Sequence, residues 1–214
     1  MYDILVKNGT IVDGTGAPRF RGNVAISGGK VVEVGDVSGA AKRTIDADGC
    51  VVTPGFVDIH THYDGQVCWD NVLAPSSING VTSAAMGNCG VGFAPARVDK
   101  HDWLIQLLEG VEDIPGTALA EGLTWNWESF PEYLDALAAR SYTMDIGTHV
   151  PHAALRAFVM GDRGGDHLAV PSDDEIARMA RLTVEGMDAG ALGFSTSRTH
   201  AHRSRDGVNI GTLT

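Results

Sequence analysis

Only three cysteines, Cys50, Cys68 and Cys89, occur in the 214 residues. An odd, sparse set argues against a disulfide framework, so each is read as core filler or as chemistry. No apolar run approaches the roughly 18 residues of a membrane span. The opening segment MYDILVKNGTIVDGTG also lacks the basic start and apolar core of a secretory signal. Cationic side chains are scarce too: 16 Lys and Arg face 27 Asp and Glu, for a net charge of -11. That balance repels phosphate backbones and anionic membrane surfaces, so neither nucleic acid nor membrane is expected as a partner. Together these absences predict a cytoplasmic protein. There is no Walker sequence, nucleophile elbow or Cys-x-x-Cys, and Gly87-Asn88-Cys89-Gly90-Val91-Gly92 lacks the Gly-x-Gly-x-x-Gly spacing of a dinucleotide site.

With 43% hydrophobic and 20% charged residues, the chain can bury a core as one large domain or two small ones. Residues 1–52 are dense in short β-type runs broken by turn dipeptides. Ile4 to Val6 and Thr10 to Val12 flank Asn8-Gly9, which predicts a hairpin because both central positions prefer positive φ. Val24 to Ile26 and Val31 to Val34 flank Ser27-Gly28-Gly29-Lys30 in the same way. The expectation is a small antiparallel β-module, too small to cover both faces of its sheet.

Residues 53–214 change register, with apolar strands alternating with amphipathic helices as in βα units around a parallel sheet. The patterning, taken from Cys50 onward, predicts strands at Val51 to His60, Val81 to Met86, Thr143 to Val150 and Ala191 to Ser195. Ser172 with Glu175 and Ser129 with Glu132 are capping boxes that start helices. The first of these helices carries Ile176, Met179, Ala180, Thr183 and Met187 on one stripe and stops at Gly190. The connection from Gly87 to Ser129 is long for a compact α/β unit. Within it Trp103 to Val111 can be helical, and Trp125-Asn126-Trp127 reads as a loop anchored by tryptophan or as a ligand-stacking lid. His101 and His167 lie in polar surroundings and are expected at the surface.

Chemistry concentrates in Pro54-Gly55-Phe56-Val57-Asp58-Ile59-His60-Thr61-His62. Side chains alternate along a strand, so Asp58, His60 and His62 fall on one side. Two imidazoles at a strand end can chelate one metal ion of the zinc type, or they can simply be satisfied by hydrogen bonds. In a (β/α) barrel the C-terminal strand ends are where active sites lie. Cys89 by itself is open between a buried small hydrophobe and a reactive thiolate. Cys50 and Cys68 read as packing residues.

The His-x-His strand resembles the amidohydrolase superfamily. Gly80-Val81-Thr82-Ser83, Gly87-Asn88-Cys89-Gly90, Pro151-His152-Ala153-Ala154-Leu155-Arg156 and Ala191-Leu192-Gly193-Phe194-Ser195-Thr196 are similar to its N-acyl-D-amino-acid deacylase (D-aminoacylase) branch. The resemblance implies an α/β chain: a partial (β/α)8 TIM-like barrel, with about four of eight strands in residues 53–214, preceded by part of an antiparallel β-sandwich in residues 1–52. It implies one or two divalent ions, zinc first, with His60, His62 and a bridging Cys89 thiolate as ligands, and Asp58 orienting a ligand. The implied activity is hydrolysis of the linear amide of an N-acyl-D-amino acid, a small molecule, by a metal-bound hydroxide. The general-base aspartate of the family is expected beyond residue 214, so the chain is expected to be an N-terminal part of the enzyme and inactive alone.

Arg198, Thr199, His200, His202, Arg203 and Arg205 form a basic cluster in an otherwise acidic chain. It reads either as a solvated loop or as a carboxylate-binding fork. In the second case Arg198, His200 and Arg203, with His152, are the substrate-binding candidates. Two competing functions remain: another amidohydrolase, of the hydantoinase or dihydroorotase type acting on cyclic amides, or a catalytically silent barrel used as a scaffold.

Overall fold

In the computed structural model, the described residues are 1–112, 114–199, 202–204, 206–207 and 209. They form a mixed α/β fold in two compact units, Met1–Gly55 and Phe56–Thr214.

The first unit is a five-stranded sheet of β1 (Tyr2–Ile11), β2 (Phe20–Ser27), β3 (Lys30–Gly35), β4 (Ala41–Asp46) and β5 (Val51–Val52). The strand order is β3-β2-β1-β4, with β5 also paired to β1. The purely antiparallel expectation is corrected. β2 and β3 pair antiparallel, but β4 and β5 run parallel to the central β1. The Gly28-Gly29 turn forms as expected, both residues at positive φ (59° and 74°), and the Gly28 N–H donates to Asp3 Oδ2 at 2.7 Å.

Asn8-Gly9 is not a hairpin. β1 runs straight through it, with a register shift against β2 between Val6 and Gly9. Asn8 takes φ 62°, the left-handed geometry that a bulge shares with a tight turn. Its N–H is taken by Asn23 Oδ1 at 2.8 Å. A Cβ on Gly9 would lie 2.5 Å from Val52 Cγ2, so only glycine lets β5 approach. Leu5, Ala25 and Val37 form the small core of this unit.

The predicted strand from Val51 to His60 is divided. Its first two residues are β5, Thr53-Pro54-Gly55 interrupts pairing, and β6 is only Phe56–Asp58. Pro54 lacks the N–H that a continuous ladder needs. In the second unit β6, β7 (Val81–Met86) and β8 (Asp145–Thr148) form a parallel sheet in that order. His149 separates β8 from β9 (Val150–Pro151), which pairs parallel with β10 (Phe194–Ser195). Hydrogen bonds from Leu192 N to Thr148 O and from Val150 N to Gly193 O extend that pairing back toward β8.

Helices α1 (His101–Glu112), α2 (Gly116–Gly122), α3 (Phe130–Ala138), α4 (His152–Met160) and α5 (Asp173–Ala189) complete the unit. Both capping boxes form, and Gly190 ends α5 at φ 116°. α5 departs from its predicted stripe: Met179 and Gly186 are buried, whereas Ile176, Ala180 and Met187 are exposed. Helical periodicity specifies a face, and among the described residues only part of this one is covered. Trp127 anchors the long connection, buried with its Nε1–H on Phe93 O at 2.9 Å. His101 is not a free surface residue; its ring stacks on Trp125 at 4.0 Å. Arg156 is fully buried and donates to the carbonyls of Gly164, Asp166 and Ala169. It thereby ties the segment after α4 to that helix. Among the described residues no helix is long and apolar enough to cross a membrane.

Candidate metal centre at the strand ends

β6 stops at Asp58, and its carboxylate accepts the His60 backbone N–H at 3.1 Å. Thr61 N then donates to Ala85 O at 3.1 Å, so the chain keeps contact with β7 past the end of the assigned strand. His60 and His62 flank that anchor, and their rings lie 5.5 Å apart.

Cys89 approaches from the end of β7. Gly87, Cys89 and Gly90 all have positive φ, at 73°, 59° and 75°. A Cβ on Gly87 would sit 2.4 Å from His149 O, and one on Gly90 would sit 3.1 Å from Thr196 Cα. The turn is therefore pressed against the segments around β9 and β10, and glycine is needed on steric as well as conformational grounds. Ser195 Oγ donates to Gly87 O and accepts from Gly90 N at 3.0 Å. Ser197 Oγ donates to Cys89 O at 2.9 Å and lies 3.0 Å from His202 Nδ1. With the Ser197 proton used on Cys89 O, His202 Nδ1 is the donor in the second contact.

These elements bring His60, His62 and Cys89 together, one ligand atom of each lying within 4.8 Å of the others. Cys89 Sγ is 3.3 Å from His60 Nε2. Tetrahedral ligation at about 2.1 Å to nitrogen and about 2.3 Å to sulfur separates ligand atoms by roughly 3.5 Å, which the Cys89–His60 pair matches at 3.3 Å, and two imidazoles with a thiol are a donor set that suits a zinc-type ion. Burial pushes the Cys89 thiol up, and the nearby Asp64 carboxylate adds to it. A cation at the thiol opposes both effects. Cys68 is buried, its thiol pushed up to about 12 chiefly by desolvation, which makes it inert.

His152 lies beside this centre. Its Nδ1 is 2.9 Å from Thr196 Oγ1, and its Cβ is 3.3 Å from where a Gly90 Cβ would be. Burial, then Arg156 and Arg198, lowers its imidazole to about 4. Arg198 is exposed. Arg203 pairs through its backbone with Asn209, and its carbonyl lies against Gly110 of α1. His200 lies outside the described residues. Sequence reasoning missed Asn88, Ser195 and Ser197, which hold the Cys89 turn. The local signal was Asn88 directly after Gly87, two residue types that tolerate left-handed backbone.

Comparison with known proteins gives a consistent result. Residues 43–212 match the family model described as Amidohydrolase family. The chain is 35% identical over 205 residues to the D-aminoacylase of Alcaligenes xylosoxydans xylosoxydans, covering 95% of this chain and 39% of that protein. A solved D-aminoacylase with a binuclear metal center superposes with a TM-score of 0.76 at 34% identity, over 92% of this chain and 38% of that one. The N-acyl-D-glutamate deacylase of Bordetella bronchiseptica, solved with zinc and a phosphonate mimic of the tetrahedral intermediate, gives 0.68 at 30% identity, over 91% and 38%. The chain spans well under half the length of the relatives it matches.

Proposed function

Because this chain belongs to the amidohydrolase family, we propose that it contributes the first metal-binding strands of a metal-dependent hydrolase that deacylates N-acyl-D-amino acids. The observation that carries the reading is the convergence of His60, His62 and Cys89 within 4.8 Å. On this reading the β6-β7-β8 sheet, with β9 and β10, is about four strands of a (β/α)8 barrel, and residues 1–52 are part of a β-sandwich. The parallel pairing and the intervening helices support the first assignment.

His60 and His62 hold the ion, zinc first and one or two in number, as neutral imidazoles, and Cys89 holds it as thiolate. A divalent cation there supplies Lewis acidity to the scissile carbonyl and lowers the pKa of a coordinated water toward about 7. Asp58 fixes the His60 peptide. Arg198 is the candidate for the substrate carboxylate, with His152 beside it, and Arg203 and His200 are carried as further candidates. A thiol beside the imidazole pair favours linear over cyclic amides, by resemblance to the deacylase branch.

The test is zinc-supplemented hydrolysis of N-acyl-D- and N-acyl-L-amino acids by a polypeptide that contains this chain and extends over its relatives' length. D-selective turnover is expected, lost together with bound zinc in His60→Ala. Equal turnover of the enantiomers, or a His60→Ala variant with undiminished zinc and activity, overturns the proposal.

A further inference from the structure

We propose that Asn88 is the positioning residue that sets the separation between the imidazole pair and the thiolate; this rests on the metal-centre reading above. His60 and Cys89 are 29 residues apart in sequence and follow different strands. One ladder contact, Thr61 N to Ala85 O, joins the two strand ends beyond β6. Asn88 closes a second. Its Nδ2 donates to Thr61 O at 3.3 Å and to Ala85 O at 2.8 Å.

Both partners are carbonyl oxygens, so the amide nitrogen has to face them and both of its hydrogens are used. Thr61 is then held at its N–H by Ala85 and at its C=O by Asn88, a closed ring of three hydrogen bonds. Thr61 is the residue between the two histidines, and Asn88 is the neighbour of the cysteine. Rotation of either loop breaks the ring. At 8% exposure Asn88 has little access to water that could replace a lost partner. Its neighbours Gly87 and Cys89 both take left-handed backbone, so the side chain, rather than a ladder, holds this turn against the histidine loop.

The test uses a polypeptide that contains this chain and extends over its relatives' length, and compares it with its Asn88→Ala and Ser172→Ala variants by zinc titration against a chromophoric chelator and by cobalt(II) spectra. Ser172→Ala removes the α5 cap, remote in sequence from all three ligands, and reports what general destabilisation does. Asn88→Ala is expected to weaken zinc binding by about 10- to 100-fold. At saturating cobalt it is expected to weaken the thiolate-to-cobalt charge-transfer band relative to the d–d bands, whereas Ser172→Ala changes neither. If Asn88→Ala does not fold, Asn88→Ser, whose single donor cannot span both carbonyls, carries the same expectation. A wild-type polypeptide of that length that binds neither ion through the thiolate overturns the metal-centre reading itself. A wild-type polypeptide that binds, with Asn88 variants matching it in affinity and spectrum, overturns the role of Asn88 alone.

Discussion

Asp58 Oδ1 accepts a hydrogen bond from the backbone N–H of His60 at 3.1 Å. The bond closes a local turn where β6 ends, so the acid acts on the peptide of the first histidine rather than on its ring. Asp58→Ala removes the acceptor and is expected to lower zinc affinity by up to about 10-fold. Asp58→Asn keeps an acceptor oxygen and should stay close to wild type. Competitive zinc titration separates the two variants, and equal weakening by both would assign the effect to charge rather than to the turn.

Cys89 holds φ 59° without being glycine, a conformation that costs an L-residue roughly 1 kcal/mol or more. Comparing Cys89→Ala with Cys89→Gly isolates that strain, since both remove the thiol. Both variants should lose tight zinc, while the glycine variant should be the more stable of the two by about 1 kcal/mol in urea denaturation without metal. Equal stabilities would mean that the turn relaxes out of the left-handed region once the thiol is gone.

The adjacency of His60 and His62 is legible from strand alternation alone, even though β6 ends at Asp58, because Thr61 stays bonded to Ala85. Ser129 and Ser172 are equally legible, since a capping box is written within four residues. Asn8-Gly9 misleads because bulges and hairpin turns ask for the same left-handed backbone, and only the partner strand decides between them. Cys89 enters the site through resemblance rather than spacing. Asn88 and Ser195 were illegible for a plainer reason: their partners are Thr61, 27 residues away, and Gly87, 108 residues away. Local pattern carries no record of such contacts.

Burial, with Arg156 and Arg198 adding to it, lowers the His152 imidazole from its ordinary 6.5 to about 4. The unfolded chain takes up that proton more readily than the folded protein does. This contribution to stability is therefore complete above pH of about 6.5 and is lost as the pH falls toward about 4. His152→Gln removes the titration, so the variant's stability should depend less steeply on pH across that window. Urea midpoints measured at several pH values check this, and parallel profiles for the two proteins would show that His152 titrates normally.

Gly87 and Gly190 provide the sharpest contrast in what a single methyl group does. Both have left-handed backbone, at φ 73° and 116°, so alanine at either position carries the left-handed penalty of roughly 1 kcal/mol. A Cβ at Gly190 meets nothing within 4 Å, whereas one at Gly87 meets His149 O at 2.4 Å, Thr148 Oγ1 at 2.8 Å and His149 N at 2.9 Å. Two of those three atoms are backbone at the β8–β9 junction, which cannot swing aside as a side-chain tip could. The strain has to be taken up by the turn itself. That turn carries Asn88 and Cys89 and is clasped by Ser195 through Gly87 O and Gly90 N. Gly190→Ala is therefore expected to cost about 1 kcal/mol and leave zinc affinity unchanged. Gly87→Ala should cost clearly more and weaken zinc binding as well, because the thiol moves with the turn. Urea denaturation paired with zinc titration on both variants gives the comparison. A Gly87→Ala protein with wild-type zinc affinity would show that the Cys89 turn can shift as a body without disturbing the ligand separation.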